Sequence, residues 1–177
     1  SSDGTLLVSD EYAPAVYRFG RDGRLLGRLD PPSEFRPGEN MGRVENRGLE
    51  SLCLSPDGKR LLALLQSPLA QDGGKMGHVD RGVLWELGPT PVARPLTLPM
   101  PAVPEGLKAK DVMYNECEWL DEDTLILLER DNRGLGADPG NGGPPRLKGL
   151  RLARLGDDGA IVPGKALDLL EVLKAGG

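Results

Sequence analysis

The side chains able to do chemistry here are carboxylates, amides and guanidiniums at the ends of apolar runs. Glu50 follows Asn46-Arg47-Gly48-Leu49, and Glu116 follows Asn115. Asp10-Glu11 precedes Tyr12, and Glu129-Arg130-Asp131 closes an apolar run. Carboxylates brought to one place without a cation repel one another and hold their protons more tightly. A hard cation resolves that conflict, since Ca²⁺ takes roughly six to eight oxygens from carboxylates, carbonyls and water. Asn46 and Asn115 offer further amide oxygens. A bound Ca²⁺ holds a phosphate, or polarises an ester and its attacking water. Arg47 and Arg130 have the shape and charge to pair with phosphate oxygens. Glu118 shares a strand face with Glu116 by period two. Glu34, Glu39, Glu45, Glu86, Asp157 and Asp158 read as ordinary surface charge.

Nucleophile signatures are poor. Gly48-Leu49-Glu50-Ser51 is not the Gly-x-Ser-x-Gly elbow of a serine hydrolase. Ser51 and the single histidine, His78, read as a coincidence of strand and loop rather than a dyad. No phosphate-binding loop or dinucleotide fingerprint occurs. Cys53 and Cys117 each sit inside an apolar strand pattern and read as buried thiols rather than as a disulfide. A conventional zinc site lacks partners for His78.

Short strands must position these groups. The 177 residues suffice for one ordinary domain, here 1–177. Twenty-five glycines and sixteen prolines make the chain turn-rich and argue against a helical bundle. The net charge of −5 disfavours nucleic acid as a partner, because phosphate binding wants clustered Lys and Arg. No apolar run is long enough to span a bilayer, and no leader opens the chain. Strands are expected over Thr5–Asp10, Ala15–Phe19, Arg24–Leu29, Gly82–Leu87, Val112–Leu120, Thr124–Glu129 and Lys148–Leu155, with a last one from Ile161. Pro95–Pro99 reads as an edge strand, where proline is tolerated. Ala166 to Ala175 is the most helix-like segment, and Asn132 to Lys148 a Gly/Pro/Asn loop.

Two units repeat. Asn46–Gln66 reads as strand, Pro56-Asp57-Gly58 turn and a continuously apolar second strand, Leu61–Leu65, of the kind covered on both faces. At one offset Glu50 through Asp57 falls on Glu116 through Asp123, so Leu54 meets Leu120 and Cys53 meets Trp119. The opening Asp3-Gly4-Thr5-Leu6-Leu7-Val8 matches the turn and second strand of the same unit, with the first strand missing. Such repeats suggest a β-propeller at roughly 40–45 residues per four-stranded blade, so about four blades' worth of a larger ring, truncated at its start. A small four-bladed ring is the rival. In either case Glu50 and Glu116 would face a common axis.

Several of these motifs occur together in one known family. Ser9-Asp10-Glu11-Tyr12-Ala13-Pro14, then Val16-Tyr17-Arg18-Phe19, Asn46-Arg47-Gly48-Leu49-Glu50-Ser51-Leu52, Ser55-Pro56-Asp57-Gly58, Asn115-Glu116 and Leu128-Glu129-Arg130-Asp131 resemble, in order, the phytase-like family labelled "esterase-like activity of phytase". Ala13 stands where the family commonly has Gly. The resemblance implies an all-β propeller with acidic residues near its axis, a bound Ca²⁺, and metal-assisted hydrolysis of phosphate or carboxylic esters of small molecules. It implies metal ligands among Asp10, Glu11, Glu50, Glu116 and Glu129, catalytic roles for Glu50, Glu116 and Arg130, and substrate contacts from Arg47, Asn46 and Asn115. It also implies an exported protein, secreted or periplasmic. Alternative functions are a non-catalytic propeller that binds a ligand around a structural metal, or a sugar-lactone hydrolase.

Overall fold

The computed structural model describes residues 4–134 and 143–175 of the chain. The first part of the opening repeat match and the middle of the Asn132–Lys148 loop lie outside these residues. Among the described residues eleven strands alternate with loops: β1 (Leu6–Asp10), β2 (Ala15–Phe19), β3 (Leu25–Leu29), β4 (Leu49–Leu54), β5 (Arg60–Leu65), β6 (Val79–Glu86), β7 (Val92–Pro99), β8 (Val112–Trp119), β9 (Thr124–Asp131), β10 (Lys148–Leu155) and β11 (Ile161–Asp168). One short helix, α1 (Leu169–Ala175), follows. The helix-like segment is thus split. Ala166–Asp168 extends β11, and Asp168 caps the helix by accepting from the Leu170 N–H at 2.8 Å.

The strands form three antiparallel meanders in chain order, β1-β2-β3, β4-β5-β6-β7 and β8-β9-β10-β11. The protein is therefore all-β, as the turn-rich composition predicts. Three sheets stand where the spacing suggested about four, because the loops between them carry no strands. The first sheet has three strands among the described residues, β1-β2-β3. Pro95 and Pro99 lie on β7, the edge of its sheet, where a missing N–H costs no ladder bond.

The sheets stack face to face around two apolar layers. Val16, Phe35, Leu49, Leu61, Ala63, Leu65 and Trp85 fill the layer between the first and second sheets. Leu62, Leu64, Leu84, Leu98, Tyr114, Trp119 and Leu127 help fill the layer between the second and third. The second sheet is covered on both sides, which is why Leu61–Leu65 is apolar without interruption. Along the stack β4 packs against both β1 and β8. At the outer edge the Thr97 N–H of β7 donates to the Gly159 carbonyl in the β10–β11 turn at 3.1 Å.

Two bulges set which way the first strands face. On β4, Leu49 pairs with Leu65 and Ser51 with Leu64, so Glu50 is the extra residue. On β8, Tyr114 pairs with Glu129 and Glu116 with Leu128, so the extra residue is Asn115. The structural partner of Glu50 in the third sheet is therefore Asn115, and Glu116 corresponds to Ser51. The sequence repeat was anchored on the turns, which differ in length. Residues 55–60 separate Leu54 from its partner Leu61, whereas only residues 120–124 separate Trp119 from Leu125. One residue of slip in a strand reverses every side chain.

Candidate functional site

The turn after β1 and the loop before β4 build one wall of the site. Asp10 Oδ1 accepts from the Tyr12 and Ala13 N–H groups at 2.8 and 3.1 Å, an Asx-type turn that presents Glu11. Tyr12 donates its hydroxyl to Asn46 Oδ1 at 2.9 Å, and Arg43 Nε donates to the Tyr12 carbonyl at 2.7 Å. Asn46 has φ 56°, a left-handed conformation that Asn tolerates better than most residues. Gly48 is required by close approach: a Cβ there would lie 2.1 Å from the Glu11 carbonyl oxygen. The Gly48 carbonyl in turn accepts from the Gln66 N–H at 3.1 Å. These bonds hold Glu11 beside the start of β4.

The opposite wall comes from β8 and β9. Arg130 Nε donates to Asn115 Oδ1 at 2.6 Å, and Arg130 Nη1 to the Asp131 carbonyl at 3.3 Å. The two bulges thus aim Glu50 and Asn115 into the same neighbourhood. Glu50, Glu11, Arg47 and Arg130 interact electrostatically there. Among the described residues, Glu50, Glu11 and Arg47 close no direct side-chain hydrogen bond or ion pair. Burial lifts the Glu50 carboxyl above its usual range and Glu11 adds to that, while Arg130 and Arg47 oppose it. Burial likewise lowers Arg47 from its ordinary value; Arg130 acts in the same direction, and Glu50, Glu11 and Asp111 oppose.

Other candidates stand elsewhere. Glu129 is buried in an ion pair with Arg151, whose Nη2 donates to Glu129 Oε2 at 3.1 Å. Asp10 is committed to its own turn. Glu116 is exposed on the far face of β8, where its Oε1 accepts from the Cys117 N–H at 3.1 Å. Asn46 serves the Tyr12 hydroxyl. The expected five-carboxylate ligand set is thus not assembled: only Glu11 and Glu50 share a neighbourhood. Among the described residues, no three of His, Cys, Asp and Glu gather closely enough to hold a metal ion. Two carboxylates supply at most about four oxygens, so a Ca²⁺ held by Glu11 and Glu50 would take the rest from carbonyls and water.

Two contributors escaped the sequence reading. Arg43, in the loop before β4, anchors Tyr12 by a hydrogen bond and by placing its guanidinium 5.9 Å from the ring centroid. Asp111 contributes negative potential at Arg47 from the turn before β8. No local motif marks either one.

A secreted protein of Arthroderma benhamiae, itself uncharacterised, is 38% identical over 98 residues, covering 41% of this chain and 19% of that relative. The periplasmic gluconolactonase of Pseudomonas aeruginosa is 17% identical with a TM-score of 0.49, covering 92% of this chain and 38% of that one. The chain therefore spans well under half the length of either protein. No helix among the described residues is long and apolar enough to cross a membrane. The family model described as "esterase-like activity of phytase" matches residues 1–172, nearly the whole sequence, and the chain belongs to this phytase-like family.

Proposed function

We propose that the chain is part of a hydrolase for small anionic esters, phosphoric or carboxylic, with Glu50 as its proton-transfer group. The observation that carries this is a half-buried Glu50 beside Glu11, Arg47 and Arg130, without a direct partner. A carboxyl held above its usual range suits general acid–base work better than an ordinary one. Arg47 and Arg130 bind the substrate's oxyanion, and an anion between them relieves their mutual repulsion. Asn115 orients Arg130. The Glu50 carboxylate takes a proton from water as the oxygen attacks phosphorus or carbonyl carbon, and returns it to the departing alkoxide. The products are the acid and the alcohol.

A Ca²⁺ belongs to the proposal through the family rather than through the described donors. Glu11 and Glu50 are the residues of this chain that would hold it, where it would supply positive charge for the ester's oxygens. The three meanders are read as successive blades of a β-propeller, supported by their order and by β4 packing on both β1 and β8. Export from the cell is the matching localisation, supported by the secreted fungal relative.

Calorimetry with inorganic phosphate, together with turnover of p-nitrophenyl phosphate and p-nitrophenyl acetate with and without Ca²⁺, tests this. Phosphate affinity is expected to fall about tenfold in Arg130→Ala and in Arg47→Ala. Turnover of neither ester, with phosphate affinity intact, favours a non-catalytic binding module. Phosphate affinity unchanged in both variants removes the anion site.

A further inference from the structure

Cys53 and Cys117 are the two cysteines of the chain, and they meet across the layer between the second and third sheets. Their Sγ atoms lie 2.7 Å apart, and both residues are buried, at 3% and 2% exposure. The meeting depends on the bulges. Beyond Glu50, Cys53 turns toward the third sheet; beyond Asn115, Cys117 turns back toward the second. Loss of either bulge would swing one thiol to the opposite face. The cysteines are not repeat equivalents of each other: Cys53 corresponds to Glu118, and Cys117 to Leu52. The same junction carries a further link, from Trp119 Nε1 to the Cys53 carbonyl at 3.4 Å.

We propose that Cys53 and Cys117 form a disulfide that ties the second sheet to the third. A disulfide bond is about 2.0 Å long, so a small side-chain adjustment closes the remaining gap. With a low-molecular-weight disulfide as oxidant, the thiolate of one cysteine attacks it and releases one thiol. The second cysteine then attacks the mixed disulfide and releases another. Two protein thiols are oxidised and one small disulfide is reduced to two thiols. The hydrogen bond shared with Cys117, and then burial, push the Cys53 thiol up, so the packed protein holds little thiolate. The bond therefore forms while the sheets are coming together. Once formed, it is shielded from reductant by the same packing.

The test refolds the reduced, denatured full chain with oxidised or with reduced glutathione. Each product is then denatured, alkylated with iodoacetamide and mapped by mass spectrometry. Oxidative refolding is expected to leave neither cysteine alkylated, to give one peptide pair linked through Cys53 and Cys117, and to raise Tm by about 10 °C. Two alkylated cysteines, or a glutathione adduct at either one, would overturn the proposal. So would a linked product that melts at or below the reduced protein. Cys117→Ala is expected to remove the redox dependence of Tm. If that variant does not fold, the wild-type redox pair decides the matter alone.

Discussion

Glu50 and Asn115 occupy equivalent positions in two consecutive sheets. Each is the extra residue of a bulge on the first strand, one pairing step after Leu49 and Tyr114 respectively. The bulges put a carboxylate from one sheet and an amide from the next into one neighbourhood, where Asn115 accepts from Arg130 and Arg130 acts on Glu50. A divergent pair, acid and amide, does more here than two acids would, because the amide can steer a cation toward the acid.

Removing the Glu50 charge should separate function from stability. Its folded-state carboxyl is raised, so the native protein binds the proton more tightly than the unfolded chain does. That contribution to stability is full below the unfolded value, near 4.3, and is lost as pH rises through the folded one. Glu50→Gln is therefore expected to be as stable as wild type at pH 7, or more stable by a few tenths of a kcal/mol after solvent screening. Its ester turnover should fall about 100-fold. Thermal melts at pH 4 and 7, beside initial rates, check both parts.

Gly48→Ala tests the wall that carries Glu11. The added methyl would fall 2.1 Å from the Glu11 carbonyl, a clash with backbone that no rotamer relieves. About 1–3 kcal/mol of destabilisation is expected, together with weaker phosphate binding as the turn shifts. Urea denaturation and phosphate calorimetry on the variant read the two effects.

Glu129 separates a structural carboxylate from a metal ligand. Its side chain is 2% exposed and paired with Arg151. Arg151→Ala leaves that charge buried without its guanidinium and should cost about 3 kcal/mol. Any Ca²⁺ affinity of the protein should survive in Glu129→Gln, while Glu50→Gln and Glu11→Gln weaken it. Calcium titration of the three variants ranks them.

Asp131 should shape the acid limb of stability. Its buried carboxylate accepts from the Arg133, Arg146 and Leu147 N–H groups and from Lys148 Nζ. Burial pushes the carboxyl up, but these donors outweigh it and the net shift is downward. The resulting stability is present above the unfolded value, near 3.9, and is lost as pH falls through the folded one. Asp131→Asn is expected to be less stable at pH 7 by about 1–3 kcal/mol. Its stability should fall less steeply than that of wild type below pH 4, as urea midpoints between pH 2 and 7 would show.

Much of the fold was legible in the chain itself. Apolar runs of five to eight residues between Gly, Pro and Asp turns can only pair as neighbouring strands, and the unbroken Leu61–Leu65 announced a sheet covered on both faces. The motifs around Glu11 and Asn46–Glu50 lie on loops that meet in the structure, and their local shape was legible: the Asx turn at Asp10 and the left-handed Asn46 follow from residue type. The face that a strand presents is another matter. A bulge adds one residue without leaving a mark in the pattern, and the turns around Pro56-Asp57-Gly58 and Asp121-Glu122-Asp123 differ by one residue. Repeat matching anchored on turns therefore paired Glu50 with Glu116, whereas the hydrogen-bond register pairs it with Asn115. Only tertiary structure could decide that Glu129 belongs to Arg151, that Arg130 belongs to Asn115, and that Cys53 meets Cys117. Each of these contacts joins strands or sheets whose separation is set by pairing register and packing, and neither is carried by any single stretch of residues.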